Sequence, residues 1–516
     1  MTAAPELSRR ETLRWAWRQL TSMRTALFLL LLLAIAAVPG SLVPQRGVDA
    51  RAVEGFTLDH PELSPWLERL GAFSVYTSPW FSAVYVLLMV SLIGCIVPRT
   101  IVYTKALRAR PPRAPRNFER MPASATFETT ASVDEVLAAG RRTLGRARID
   151  VVDHELRAEK GYLRETGNLI FHISVVLVLV GVAGGALFGY RGSAIVTEGH
   201  GFSNVLTQYD DFASGALFDP DDLPPFSMQI AEVDAKFRLS GPQRGSPRLF
   251  AARGDVAARP GAEDEPFDIR VNHPLKVDGT SVFLVGQGYA PVFRIADANG
   301  DVAFHDAVPF LPSDNTYTST GVVKVPDARP EGLGFQGFFL PTAVSTGKEE
   351  APVSVFPAAA NPLVGLFVFS GDLGVDDGTP QSVYVLDKDK LTQEKNPDGT
   401  PFRVSLSPGQ VADLPGGGTI ELTGVRQFAR LQISSSPLVG LPLVAIVVGV
   451  LGLVLSLSIK PRRTWIRARR RATAEGRSRT VVEVAVLDRV PRGDLPADLD
   501  DFLQRLRSQL PNEETA

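Results

Sequence analysis

The chain has 516 residues, 45% of them apolar, and a formal net charge of −2. That length accommodates two or three domains, and the near-neutral balance argues against a general nucleic-acid binder. The single cysteine, Cys95, excludes an intramolecular disulfide framework, a CxxC redox centre, a cysteine-based zinc cluster and a CxxCH haem-attachment site.

Residues 1–24 are basic, with Arg9, Arg10, Arg14, Arg18 and Arg24. A first apolar span follows over 25–43, its core at Ala26–Val38 and its end marked by a break at Pro39-Gly40. It has no small-x-small cleavage site and other spans follow it, so it reads as a membrane helix rather than a removed leader. The loop 44–79 balances Arg46, Arg51 and Arg69 with acids such as Asp49, Glu54 and Glu62. The second span covers 80–97 and contains Cys95, which reads there as a small packed hydrophobe. Residues 98–167 are again basic near the span, from Arg99, Lys105 and Arg108 to Arg120. Within them Arg110–Pro115 reads as a linker, Ser132–Leu144 as an amphipathic helix capped by Ser132 with Glu135 three residues on, and Ile149–Val152 as a strand. The third span covers 168–188 and the fourth 438–459. In the tail, 460–516, an arginine-rich run from Arg462 to Arg471 precedes a strand at Thr480–Leu487, a helix at Leu499–Leu510 and a disordered end.

Each span is long enough for a hydrocarbon core of ~30 Å at ~1.5 Å per helical residue. The Lys and Arg bias places both termini and 98–167 in the cytoplasm, and 44–79 and 189–437 outside. Flanking the spans, the arginine runs are expected to meet anionic lipid headgroups rather than nucleic acid.

Residues 189–437 read as β-rich. Phe267–Val271 alternates, Ser281–Val285 and Val292–Ala296 follow with glycine turns between them, and Asn299-Gly300 signals a hairpin before Val302–Phe304. Gln381–Leu386 is a further β-rich run. The expected fold is therefore an α-helical membrane protein with four transmembrane helices, a large antiparallel sandwich-like extracytoplasmic domain, and a small cytoplasmic α+β portion assembled from the basic loop and the tail. Gly332–Gly337 matches GxGxxG but lacks a strand–helix context and reads as a glycine turn. Asp297–Asp301 is too short for a calcium loop. Asp372, Asp376 and Asp377 read as a solvated loop, and no Ser/His/Asp triad can be assigned.

Several segments carry a resemblance: Gly40–Gln45 after the first span, Leu70–Phe81 at the mouth of the second, Glu159–His172 at the entry of the third, Val271–Leu275, Gly288–Pro291 and Gly371–Gly374 in the β-rich part, and Arg462–Trp465 after the fourth. In order and spacing the chain resembles the ResB/CcsB family of cytochrome c biogenesis proteins. One departure is Ser434–Pro437, where the family often has an acid before the proline. The resemblance implies a non-autonomous subunit of a cytochrome c synthase (haem lyase) complex that moves haem b outward and presents it to apocytochrome c. It also implies a ResC/CcsA-like partner bearing a Trp-rich motif. Here the five tryptophans are dispersed, and the thiol reductant must be a separate protein. The alternative is a non-catalytic scaffold or receptor whose outer domain binds a protein partner.

Of six histidines only His172 lies within a span, where an ionisable side chain is costly and marks a site by default. A neutral imidazole can ligate haem iron, and the resemblance implies that role for His172. Asn168 precedes it by four residues, on nearly the same face. Gly181, Gly185 and Gly189 form a small-residue ridge, and Gly181 points about 180° from His172 at about 100° per residue. The ridge is expected to pack on the chain's own helices while His172 faces the partner. Measured from Asn168, His172 sits about 6 Å into its helix. With no second span histidine, a six-coordinate bis-histidine haem would need its other ligand from the partner. His273 is a weaker haem candidate and His60 weaker still, while His154, His200 and His305 read as loop or strand-end residues.

Overall fold

The computed structural model describes residues 8–48, 50–345, 351–375, 383–472, 478–488 and 494–511. They divide into two compact units, 1–183 with 438–516, and 184–437. Asp49, Asp376, Asp377, Gln381, Ser382 and 512–516 lie outside the described residues.

The helices in chain order are α1 (Arg9–Leu20), α2 (Met23–Leu42), α3 (Ala50–Asp59), α4 (Ser64–Arg69), α5 (Pro79–Arg108), α6 (Val133–Leu144), α7 (Leu163–Phe188), α8 (Gly440–Ser458) and α9 (Leu495–Arg507). Four of them, α2, α5, α7 and α8, are long and apolar enough to cross a membrane, with mean hydropathies of 2.3 to 2.6. Side chains such as Leu27, Phe28 and Leu31 of α2 and Leu443, Val447 and Leu451 of α8 are exposed. A contiguous apolar surface of this kind calls for lipid or a partner.

The ends of three spans differ from expectation. Pro39 does not break α2, which runs to Leu42. So close to the C-terminus a proline forfeits one helical bond, and its own carbonyl still accepts from the Val43 N–H at 2.9 Å. Pro98 likewise lies inside α5, which continues ten residues past it to Arg108. α7 begins at Leu163, five residues before Asn168, so His172 is about 13.5 Å along the helix rather than 6 Å.

α1 was not expected as an element. Ser8 and Glu11 close a capping box at its start. Its C-terminal carbonyls are received by α5: Ser91 Oγ donates to Leu20 O at 2.6 Å and Cys95 Sγ to Thr21 O at 2.8 Å. Cys95 therefore packs, but also caps. α7 and α8 cross on small residues, as helices in lipid do. A Cβ on Gly181 would stand 2.6 Å from Pro442 Cδ, and one on Gly167 2.5 Å from the Gly452 carbonyl oxygen.

The expected α+β portion is present in the same unit. Its sheet is antiparallel, in the order Ala123–Thr129, Ser478–Asp488, Arg462–Ala472, Glu155–Lys160, Arg148–Val152. Helices α6 and α9 contribute Val136, Phe502 and Leu506 to a core with Leu156, Ile466 and Val484. For Arg467 this corrects the reading of the run as a lipid-facing flank, because Arg462–Ala472 is the central strand; Arg469, Arg470 and Arg471 of the same strand are exposed. Arg467 is buried, with Nε 2.8 Å from Glu155 Oε1 and its guanidinium 4.4 Å from the Phe118 ring centroid.

In the second unit the long elements are two 17-residue strands, Thr280–Ala296 and Thr419–Ser435, paired along their whole length. One end shares a core with the sheet containing Ser227–Phe237 and Glu265–Arg270, through Ile230, Ile269, Val282 and Leu431. The other end packs with the sheet of Ser319–Val325, Leu333–Leu340 and Leu363–Gly371, through Phe293, Phe335, Leu366 and Ile420. Buried positions switch from even (Val282, Leu284) to odd (Phe293, Ile295), with bulges at Leu284/Gly286 and Val292/Phe293 between them.

Two expected strands are thus one. Gly286 and Gly288 sit inside it rather than in turns, and a Cβ on Gly288 would meet Phe428 Cζ at 2.3 Å. Gly334 and Gly337 of the GxGxxG match are in strand Leu333–Leu340, not a turn. Val383–Leu386 forms no strand; Leu386 is instead buried beside Phe369 and Leu373. The Asn299-Gly300 hairpin is present, with Asp297 Oδ1 accepting from the Asn299 and Asp301 N–H groups at 2.9 and 3.2 Å.

Candidate functional site

His172 is carried by α7, whose straight apolar run leaves it no choice of environment. The imidazole turns back along the helix, and Nδ1 lies 2.8 Å from the Asn168 carbonyl oxygen. A carbonyl only accepts, so Nδ1 donates, and Nε2 is the ring nitrogen left to act as a ligand. Asn168 acts through its main chain rather than its amide. Phe171 meets the ring edge-on at 5.4 Å, and the residue is half-buried. Among the described residues no other hydrogen bond reaches the ring, and no cluster of three metal-binding side chains is present.

The opposite side of α7 is occupied as expected. Gly181 packs on Pro442, Gly185 on Ser436 Oγ (2.9 Å from a Cβ there), and Ser174 lies 3.0 Å from a Cβ on Gly449. Two turns before His172, Glu165 Oε2 meets Arg99 Nη2 of α5 at 3.5 Å, and the Tyr103 hydroxyl bonds the Thr166 hydroxyl. Higher up, the Tyr85 hydroxyl donates to the Leu179 carbonyl. α5 and α7 therefore run antiparallel.

A scan of the whole chain against family models matches residues 23–500 to the ResB-like family. The chain belongs to the ResB-like family. Among its curated relatives, the cytochrome c biogenesis protein CcsB of Synechococcus sp. (strain WH7803) is 28% identical over 357 residues, covering 67% of this chain and 75% of the relative. CcsB of Thermosynechococcus vestitus is 27% identical over 286 residues, 54% of this chain and 61% of the relative. The cytochrome c biogenesis protein Ccs1 of Phaeodactylum tricornutum is 28% identical over 274 residues, 51% of this chain and 60% of the relative. The chain thus spans less than two thirds of the length of the latter two.

Each of the other histidines of this ResB-like chain has its own local setting. His273 is exposed and closes a tight turn, exchanging main-chain hydrogen bonds with Arg270 at 2.9 and 3.2 Å across Val271-Asn272. Asn272 adopts φ 65 there. His60, just after α3, packs against Phe56 with the rings tilted and their centroids 4.6 Å apart. His154 occupies a turn at φ 63, and His305 is exposed on a strand. His200 Nε2 is 3.4 Å from Asp306 Oδ1. What the residues alone did not reveal is the polar collar of Arg99, Tyr103 and Glu165 beneath His172. Arg99 read as a flank, and the apolar count stopped α5 at Val97.

Proposed function

We propose that this ResB-like protein works in cytochrome c biogenesis as a membrane subunit that holds haem b through Nε2 of His172 and passes it on for attachment to apocytochrome c. The observation that carries this reading is the ring's own hydrogen bond: with Nδ1 committed to Asn168 O at 2.8 Å, Nε2 is the free ligand atom of a half-buried span histidine. Haem supplies the iron centre and the vinyl groups. The chain supplies an axial ligand, an apolar surround and a platform. The names borne by its relatives favour this role over a scaffold with no part in cytochrome maturation.

The charge bias supports a cytoplasmic-membrane protein with both termini and the α+β unit inside and the β-rich unit outside. With one span histidine, a bis-histidine haem would need its second ligand from a Trp-rich membrane partner, and a separate protein would reduce the apocytochrome thiols. Attachment is then chiefly a matter of positioning haem vinyls and free thiols together. Co-expression with that partner tests the reading. His172→Ala is expected to abolish covalent haem on a reporter cytochrome c and to remove the Soret band from the purified complex. Wild-type maturation by the variant would refute it.

A further inference from the structure

Where α5 runs past its apolar stretch, its extension forms one wall of an open cavity of about 430 Å³, bounded also by the following linker, the neighbouring strands and the start of α7. Four cationic residues line it, Arg99, Arg110, Arg148 and Arg463, against two carboxylates, Glu159 and Glu165. Four positive charges less two negative leaves a formal excess of two. Val102, Leu107 and Pro112 give the lining an apolar part.

The charges are unequally satisfied. Glu159 receives Arg148 Nη2 at 2.9 Å and Arg463 Nε at 3.0 Å. Burial pushes its carboxyl up, but the two guanidiniums more than offset this and hold it below the ordinary value. Arg148 also donates to the Leu107 carbonyl at 2.8 Å and lies 5.2 Å over the Tyr162 ring, yet its Nε is buried without a partner. Arg99 has only the 3.5 Å contact with Glu165. Arg110 is exposed and pairs with no carboxylate among the described residues. The formal excess therefore sits on Arg110 and on the pair Arg148 and Arg463, which share Glu159, while Arg99 is held only by its long contact with Glu165. Glu165 and His172, seven residues apart on α7, lie within about 20° of one face and about 10.5 Å apart along the axis.

We infer that this cavity is the loading site for the haem that His172 then ligates, with Arg99 and Arg110 receiving the two propionate carboxylates. The inference rests on the haem-handling reading above. A flat apolar ring with two carboxylates on one edge matches a partly apolar lining with one guanidinium free of carboxylates, Arg110, and one loosely held, Arg99; guanidiniums bind carboxylates in paired, charge-assisted fashion. The helix face shared with His172 gives the ring a direct route to its ligand.

The test is titration of the full-length protein, in nanodiscs of zwitterionic lipid, with protoporphyrin IX followed by porphyrin fluorescence. Lacking iron, this probe is blind to ligation by His172, so the two readings fail separately. Binding is expected to survive His172→Ala. It is expected to weaken about tenfold or more in the Arg99→Gln/Arg110→Gln variant, and equally for the dimethyl ester of the porphyrin, a loss of about 1.4 kcal/mol or more. Both arginines are exposed, so the double variant does not put folding at stake. Equal affinity for diacid and diester, or unchanged binding by the double variant, would overturn the inference even with His172 ligation intact. So would displacement of the porphyrin by phosphatidylglycerol that is itself retained through Arg99 and Arg110, which would make the cavity a lipid-headgroup site.

Discussion

His172 is oriented by one main-chain oxygen four residues back, and that contact decides which nitrogen is available. The logic is that of a metal-bound histidine whose second ring nitrogen is tied to the protein. A different economy governs Arg467. Its guanidinium is buried between Glu155 and Glu483, at 2.8 and 3.4 Å, and caps the Phe118 ring. Removing one partner of such a group leaves carboxylates facing each other with no cation between them. Arg467→Ala is therefore expected to destabilise the α+β unit by about 3 kcal/mol, read as an earlier denaturation midpoint of Trp465 fluorescence. In the sequence Arg467 is one of several arginines after a span, and charge counting alone cannot separate a headgroup contact from a strand interior. The signal was present in the alternation of Thr464, Ile466 and Ala468, which is the spacing of a buried strand face.

At the scale of elements, α7 is the hub of the first unit. One side meets α8 through Gly167, Ser174 and Gly181, and another meets α5 through Glu165 and Thr166. Gly181→Leu would drive a side chain into Pro442 and is expected to cost about 1–3 kcal/mol, seen as a lower thermal midpoint in detergent. The existence and order of the spans were legible because ~20 apolar residues in a row have few other uses. Their ends were not, because proline and charge were taken to stop helices. Pro39 and Pro98 each forfeit one bond, and charged residues continue a helix once it has left the apolar layer. Ser8–Glu11 was a legible capping box that a reading of charge alone passed over. In the second unit, glycines of the long strand read as turns because nothing in their local sequence reports Phe428 lying across Gly288.

At the scale of the whole molecule, the proposed topology puts Asp301 outside the cytoplasmic membrane and Arg505 on its inner side. Replacing Cys95 by Ser keeps a donor for the Thr21 carbonyl and leaves a cysteine-free chain. Single cysteines at Asp301 and at Arg505 then report on sidedness. A membrane-impermeant maleimide applied to intact spheroplasts is expected to label the first and not the second; the reverse pattern would invert the topology. The central proposal is that Nε2 of His172 holds haem. Its most direct measurement is the visible spectrum of the complex purified from membranes with His172→Gly, before and after adding imidazole. The account predicts loss of the low-spin haem bands and their return with imidazole. An unchanged spectrum in the variant would contradict it.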